Sequence, residues 1–191
     1  MRAGNLFVVS GPSGAGKGTL VARLLEAVPD SWVSVSATTR APRAGEVDGV
    51  SYYFLDRDEF LRRADEDGFL EWAEYAGNCY GTPRSSVEQK MAEGKQVILE
   101  IDVQGAFQIK EKIPEAHLVF IEPPSMEVLE ARLRGRGTEA DDVIEKRMQA
   151  ARLELFQKMR YDKRLVNDDL DSAVAELVDY VNAQAEKPQG L

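Results

Sequence analysis

Residues 11–20 read Gly11-Pro-Ser-Gly-Ala-Gly-Lys-Gly-Thr-Leu20, and what flanks them decides the fold. The spacing Gly11-x-x-x-x-Gly16-Lys17 is that of a phosphate-binding loop. Just before it, Asn5-Leu-Phe-Val-Val-Ser10 is a short apolar run of the kind buried on both faces of a parallel sheet. Just after it, Leu20, Val21, Leu24 and Leu25 recur at helical spacing within 17–27. Strand, glycine turn and helix in that order make a nucleotide site of what alone would be only a turn. The glycines let the backbone curl, so that successive N–H groups face an anion at the positive end of the helix dipole. Candidate contacts to a nucleoside triphosphate are therefore Gly11, Pro12, Ser13, Gly14, Ala15, Gly16, Lys17, Gly18 and Thr19, with Lys17 reaching the β and γ phosphates. One position departs from the pattern. Gly18 stands where a Ser or Thr hydroxyl ordinarily meets magnesium.

Working outward, Gln96-Val-Ile-Leu-Glu-Ile-Asp102 and His117-Leu-Val-Phe-Ile-Glu122 are further buried runs, and helical patterns follow at 103–113 and 171–185. Buried strands alternating with helices predict an α/β, P-loop three-layer fold, a parallel sheet covered on both faces. Two segments break the rhythm. Residues 36–95 carry aromatic-rich alternating stretches and short helices, one opened by a capping box at Asp56-x-x-Glu59 and one by Thr82-Pro83. This reads as a small mixed α+β insertion. Residues 125–160 are charged and helical, broken at Gly135-Arg-Gly137, with Thr138-x-x-Asp141 as the expected capping box of the second helix. They read as a helical lid over the phosphate site. Residues 1–35, 96–124 and 161–191 make up the core of this one domain.

Composition excludes several classes. The net charge of -9 argues against general nucleic-acid or anionic-membrane binding, so any anion site must be a local cluster of Arg and Lys. Cys79 is the only cysteine and His117 the only histidine, which removes disulfides, thiolate zinc sites and Ser/His or Cys/His catalysis. Cys79 is expected as a small buried hydrophobe and His117 as part of a strand. No segment has the apolar length of a signal sequence or membrane span, and a reducing, cytoplasmic setting is expected. Nothing in the pattern reports an oligomeric state.

A carboxylate closing a buried strand is seldom merely structural, because burying it unpaired is costly. Asp102, with Glu100 two residues before it, is therefore the expected second element of the metal site. Asp102-x-x-Gly105 also matches a GTPase switch pattern, but the guanine-reading Asn-Lys-x-Asp of those proteins is nowhere in the chain. Arg40 and Arg43, three apart around Pro42, fit either a phosphate clamp or a solvated charged loop.

Several motifs now join in order: Ser36-Ala-Thr-Thr-Arg40 through Tyr52, Phe69-Leu-Glu71-Trp72, Gly77 to Thr82, Leu99 to Gly105, Arg132 to Glu139, and Val166-Asn-Asp168. Together they resemble the guanylate kinase family, nearly end to end. The resemblance implies ATP as phosphoryl donor, GMP as acceptor, with dGMP beside it, and magnesium as cofactor. It implies that Arg40, Arg43, Tyr52 and Tyr80 hold the acceptor phosphate. Ser36, Glu71, Thr82 and Asp102 would read or support guanine. Lys17, Arg132, Arg136 and Arg147 would neutralise the transferring phosphoryl group, and Asn167 would contact adenine.

The chemistry of guanine agrees with that implication. Its N1–H and N2–H are two donors, for which a carboxylate such as Glu71 is the matching acceptor. Adenine presents a lone pair there instead. Thr82 replaces the more common Ser and still supplies a hydroxyl. The order Gly16-Lys17-Gly18-Thr19 is similar to that of the adenylate kinase family, which implies magnesium held by phosphates and waters, anchored here by Asp102 and Glu100. The rival readings are another nucleoside monophosphate kinase and an inactive, peptide-binding scaffold module of the same fold. Glu71 and the 36–52 stretch speak against the first, and Lys17 with the lid arginines against the second.

Overall fold

The computed structural model describes residues 2–135 and 140–187. In chain order the elements are β1 (Asn5–Ser10), α1 (Lys17–Ala27), β2 (Ser31–Val33), β3 (Ala37–Thr38), β4 (Tyr53–Phe54) and α2 (Arg57–Asp65). Then come β5 (Phe69–Tyr75), β6 (Asn78–Pro83), α3 (Arg84–Ala92), β7 (Gln96–Glu100), α4 (Val103–Lys112) and β8 (His117–Glu122). The chain closes with α5 (Met126–Arg134), α6 (Asp141–Phe156), a 3-10 turn (Lys158–Arg160), β9 (Lys163–Val166) and α7 (Leu170–Ala185).

Strands β2, β7, β1, β8 and β9 lie in that order in one all-parallel sheet with β1 at its centre. Alternation along β1 assigns its side chains to the two faces. Phe7 and Val9 pack with Leu20 and Leu24 of α1 and Leu177 and Val181 of α7. Leu6 and Val8 pack with Val87 of α3 and Ala106 and Ile109 of α4. Each such buried aliphatic or aromatic side chain contributes roughly 1.5–3 kcal/mol relative to exposure. The three-layer expectation is met. All five strands point the same way, so β1, β7, β8 and β9 deliver Gly11, Glu100, Glu122 and Asn167 to one edge. The crevice beyond the carboxyl ends of a parallel sheet is where ligands bind.

Within 36–95 a second sheet runs β4-β3-β6-β5. The β5–β6 hairpin turns through Ala76 (φ 49°) and Gly77 (φ 79°), both left-handed, as a two-residue hairpin turn requires. A register shift between Phe69 and Glu71 bulges β5 and re-aims three successive side chains. Phe69 enters the small core with Phe60 and Cys79, Leu70 enters the main core, and Glu71 is left facing the cleft between them. Helix α3, although within 36–95, sends Val87 and Met91 into the main core. Among the described residues no helix is long and apolar enough to cross a membrane.

Three local expectations shift. Asp56 does cap α2, accepting from the Glu59 N–H at 2.8 Å, but the Glu59 carboxylate turns to Arg62 and Arg63. Strand β7 ends at Glu100, and Asp102 is instead the cap of α4, accepting from the Gly105 N–H at 2.8 Å. Helix α6 begins at Asp141 with Ala140 as its cap, so Asp141 cannot be the third helical residue of a box; it pairs with Arg134, and Thr138 lies outside the described residues.

Candidate active site

The phosphate loop is shaped by space as well as by φ. Gly11 (φ 143°) runs so close to β8 that a Cβ would sit 2.2 Å from the Ile121 carbonyl oxygen. Gly14 (φ 92°) lies against α5, where a Cβ would meet Leu133 at 3.0 Å and Leu129 at 3.1 Å. At these positions only glycine fits. Lys17 folds over the loop, its Nζ donating to the carbonyls of Gly11 (2.6 Å) and Pro12 (3.1 Å). Burial pushes its ammonium below the ordinary lysine value, while the charges of Glu100 and Glu154 draw it back. Ser13, Gly16, Lys17, Gly18, Thr19 and Glu100 line one pocket.

A second cleft, about 220 Å3, opens between the two sheets and contains Ser36, Tyr52, Glu71, Tyr80 and Asp102. Glu71 is 7% exposed, and Thr82 donates its hydroxyl to Glu71 Oε1 at 2.6 Å. Burial raises the Glu71 carboxyl, the Thr82 hydrogen bond lowers it, and the charge of Asp102 raises it further. A Cβ on Gly105 would lie 3.0 Å from Glu71 Oε2. The bare first turn of α4 thus makes room for the carboxylate.

At the outer edge of the second sheet, Arg40 sits 5.5 Å over the Tyr52 ring. Its guanidinium forks onto Glu46 at 2.8 and 3.0 Å, and Glu46 also accepts from the Arg43 main-chain N–H at 2.7 Å. The Arg43 guanidinium itself is exposed and donates to no group among the described residues. Glu46 carries no signal in the sequence, where it reads as one more charge in a polar loop. Gly105 is visible there as the end of a discounted switch pattern and of the Leu99 to Gly105 motif, with no sign of its contact to Glu71.

Arg132 and Arg147 come from two helices, α5 and α6, clamped by Leu129, Leu133, Ile144 and Met148. Arg132 of α5 donates to the main-chain oxygen of Asn167 at 3.0 Å, and Arg147 of α6 reaches Ser13 Oγ at 3.4 Å. Both lean toward the phosphate loop. Arg136 lies outside the described residues. Asn167 is buried, and its side-chain amide donates to the Ala15 carbonyl at 2.8 Å.

The two carboxylates offered to a metal both line the cleft that holds Glu71, and Glu100 lines the phosphate-loop pocket as well. A Cβ on Gly18 would come within 3.7 and 3.8 Å of the two Glu100 oxygens. Asp102 commits one oxygen to capping α4. Among the described residues no group of three or more acidic, His or Cys side chains could cage a metal. One hard oxygen donor beside an anion loop suits magnesium, which keeps most of its waters and takes few protein ligands.

Comparison with known proteins comes down on the same chemistry. A family model described as guanylate kinase matches residues 3–184. The chain is 56% identical over 181 residues to the guanylate kinase of Synechocystis sp., covering 95% of each chain. Against the guanylate kinase of Carboxydothermus hydrogenoformans it is 50% identical over 189 residues, 99% of this chain and 93% of that one. The crystal structure of guanylate kinase from Anaplasma phagocytophilum superposes with a TM-score of 0.78 at 35% identity, covering 97% of this chain and 88% of that one.

Proposed function

Since the chain belongs to the guanylate kinase family and is an ATP:GMP phosphotransferase, we propose how its residues divide that reaction. The enzyme moves the γ-phosphoryl group of ATP to GMP, giving ADP and GDP. The observation that carries the division of roles is Glu71: a buried carboxylate oriented by Thr82 and given room by Gly105. Guanine pairs its N1–H and N2–H with that carboxylate, with Ser36 and Asp102 beside it. Tyr52, Tyr80, Arg40 and Arg43 hold the acceptor phosphate at the cleft's outer edge. The donor phosphates take the loop N–H groups of residues 11–19 and the ammonium of Lys17.

No general base is needed, because the attacking phosphate oxygen is already anionic. Catalysis is alignment of the two phosphates and neutralisation of charge by Lys17, Arg132 and Arg147, with Arg136 assigned to the same work by family resemblance. By the same family resemblance dGMP is a second acceptor. A single cysteine, held buried as a free thiol, supports the cytoplasm as the setting.

A bound magnesium would supply neutralisation of charge at the donor phosphates. Glu100 is the residue best placed to hold its waters, with Asp102 acting on the guanine side. The expectation from sequence names Asp102 first and Glu100 second as anchors of the metal. Gly18 lies on the first turn of α1, where a side chain fits and glycine costs up to ~1 kcal/mol. Gly18→Ser should melt no lower than the parent and change turnover by less than ~10-fold, about 1.4 kcal/mol of barrier. A magnesium titration checks this. Metal affinity and rate rising together by more than that would make a protein hydroxyl the limiting ligand.

The activity itself is tested by ADP release from ATP with GMP, AMP, CMP or UMP as acceptor. GMP should exceed AMP by at least ~100-fold in kcat/KM, a floor well below the ~10⁴-fold that a site built for hydrogen bonding can reach. Equal turnover of the two purines would remove the Glu71 assignment.

A further inference from the structure

Asn167 follows the last residue of β9 and touches three parts of the molecule at once. Its main-chain N–H donates to the Glu122 carbonyl at the end of β8, at 2.9 Å. Its main-chain oxygen receives Arg132 of the lid at 3.0 Å. Its side-chain amide, in a residue only 6% exposed, donates to the Ala15 carbonyl inside the phosphate loop at 2.8 Å. A Cβ on Gly16 would stand 2.3 Å from that amide nitrogen. The amide fills the space that Gly16 leaves open.

In a trans peptide the C=O and the following N–H point in opposite directions. Fixing the Ala15 oxygen toward Asn167 therefore turns the Gly16 N–H to the opposite side of the same peptide plane. That N–H belongs to the run of donors that the loop offers to phosphate. Ser13, Gly16 and Lys17 share the pocket on that side.

We propose that Asn167 is a positioning residue for the donor phosphates: its amide latches the Ala15–Gly16 peptide so that the Gly16 N–H is aimed at the ligand before it arrives. This goes beyond the adenine contact expected from the family pattern, and it rests on the phosphate loop being the donor site. A latch acts through the backbone, so its loss weakens every triphosphate equally, whatever the base. A base reader would discriminate.

Calorimetric titration with ATP, CTP and inorganic tripolyphosphate separates the two in the parent, Asn167→Ala and Asn167→Asp. Asn167→Ala should lose about 10-fold in affinity for all three ligands, the scale of one buried hydrogen bond removed with its partner left unpaired. Asn167→Asp should lose at least as much, since it offers an acceptor to the Ala15 carbonyl where a donor is required. Wild-type ATP affinity in Asn167→Asp, or a loss confined to ATP, would overturn the latch. GMP affinity serves as the folding control and should stay within about 2-fold, as expected of a site that shares no contact. Loss of GMP binding in both variants would make Asn167 a stability residue and also overturn it. Lys17→Ala, run in parallel, isolates the underlying reading. If ATP affinity ignores Lys17→Ala, the donor-site reading fails; if it responds to Lys17→Ala but not to Asn167→Ala, only the latch fails.

Discussion

With Glu71→Gln, the preference for GMP over AMP is expected to fall by about 10⁴-fold in kcat/KM, the range over which a site built for hydrogen bonding rejects a mismatched ligand. The expectation follows from the fixed orientation of the side chain. Thr82 donates to Oε1 at 2.6 Å, and a variant amide that keeps this bond through its oxygen puts its NH2 group at the remaining position. The NH2 then faces the N1–H and N2–H of guanine, donor against donor. Toward adenine the same NH2 meets the N1 lone pair and pairs with it. GMP loses and AMP gains. A ratio kept within about 10-fold of the parent would show that the base is read elsewhere. The parent should also lose GMP affinity as pH falls, beginning above the ordinary carboxylate range, because burial raises the Glu71 carboxyl and only its charged form accepts both donors. Glu71→Gln removes that part of the dependence, leaving the part set by the second ionisation of the GMP phosphate, at a pKa of ~6. KM for GMP measured across the acid range in both proteins reads it directly.

Which parts of this architecture the sequence reveals depends on how far the deciding contacts reach along the chain. Strand β1 and helix α1 are legible to the residue, because an apolar run, a glycine turn and a helical stripe are all local signals. The junction after β7 is not. Ile101 and Asp102 continue the apolar run, but the strand stops at Glu100 because the Asp102 side chain is claimed by the Gly105 N–H of α4. Strands β3 and β4 have two residues each, too short for an alternation to register. Glu71 and Thr82 are visible as residue types in the right motif, whereas their 2.6 Å contact depends on the β5 bulge. Glu46 and Asn167 show the limit most clearly. The first matters through a fork onto Arg40 and the second through a bond to a residue 152 positions away. Neither leaves a periodic trace.

Arg147→Ala is expected to lower kcat by about 10³-fold while changing the affinity for ATP by less than about 10-fold, the pattern of an arginine that meets charge developing only in the transition state. Its placement supports so large an effect. Arg147 rises from α6, packed through Ile144 and Met148 against α5, and extends to Ser13 Oγ at 3.4 Å on the tip of the phosphate loop. From there the guanidinium lies beside the loop proposed to hold the donor phosphates. Its fork can follow two oxygens of the moving group at once. Arg147→Lys should recover only part of the rate, since an ammonium supplies the charge without the fork. Single-turnover rates set beside calorimetric ATP affinities separate chemistry from binding. If the loss falls in KM with kcat intact, Arg147 binds ground state and transition state alike, and the charge on the transferring group must be met by Lys17, Arg132 and Arg136.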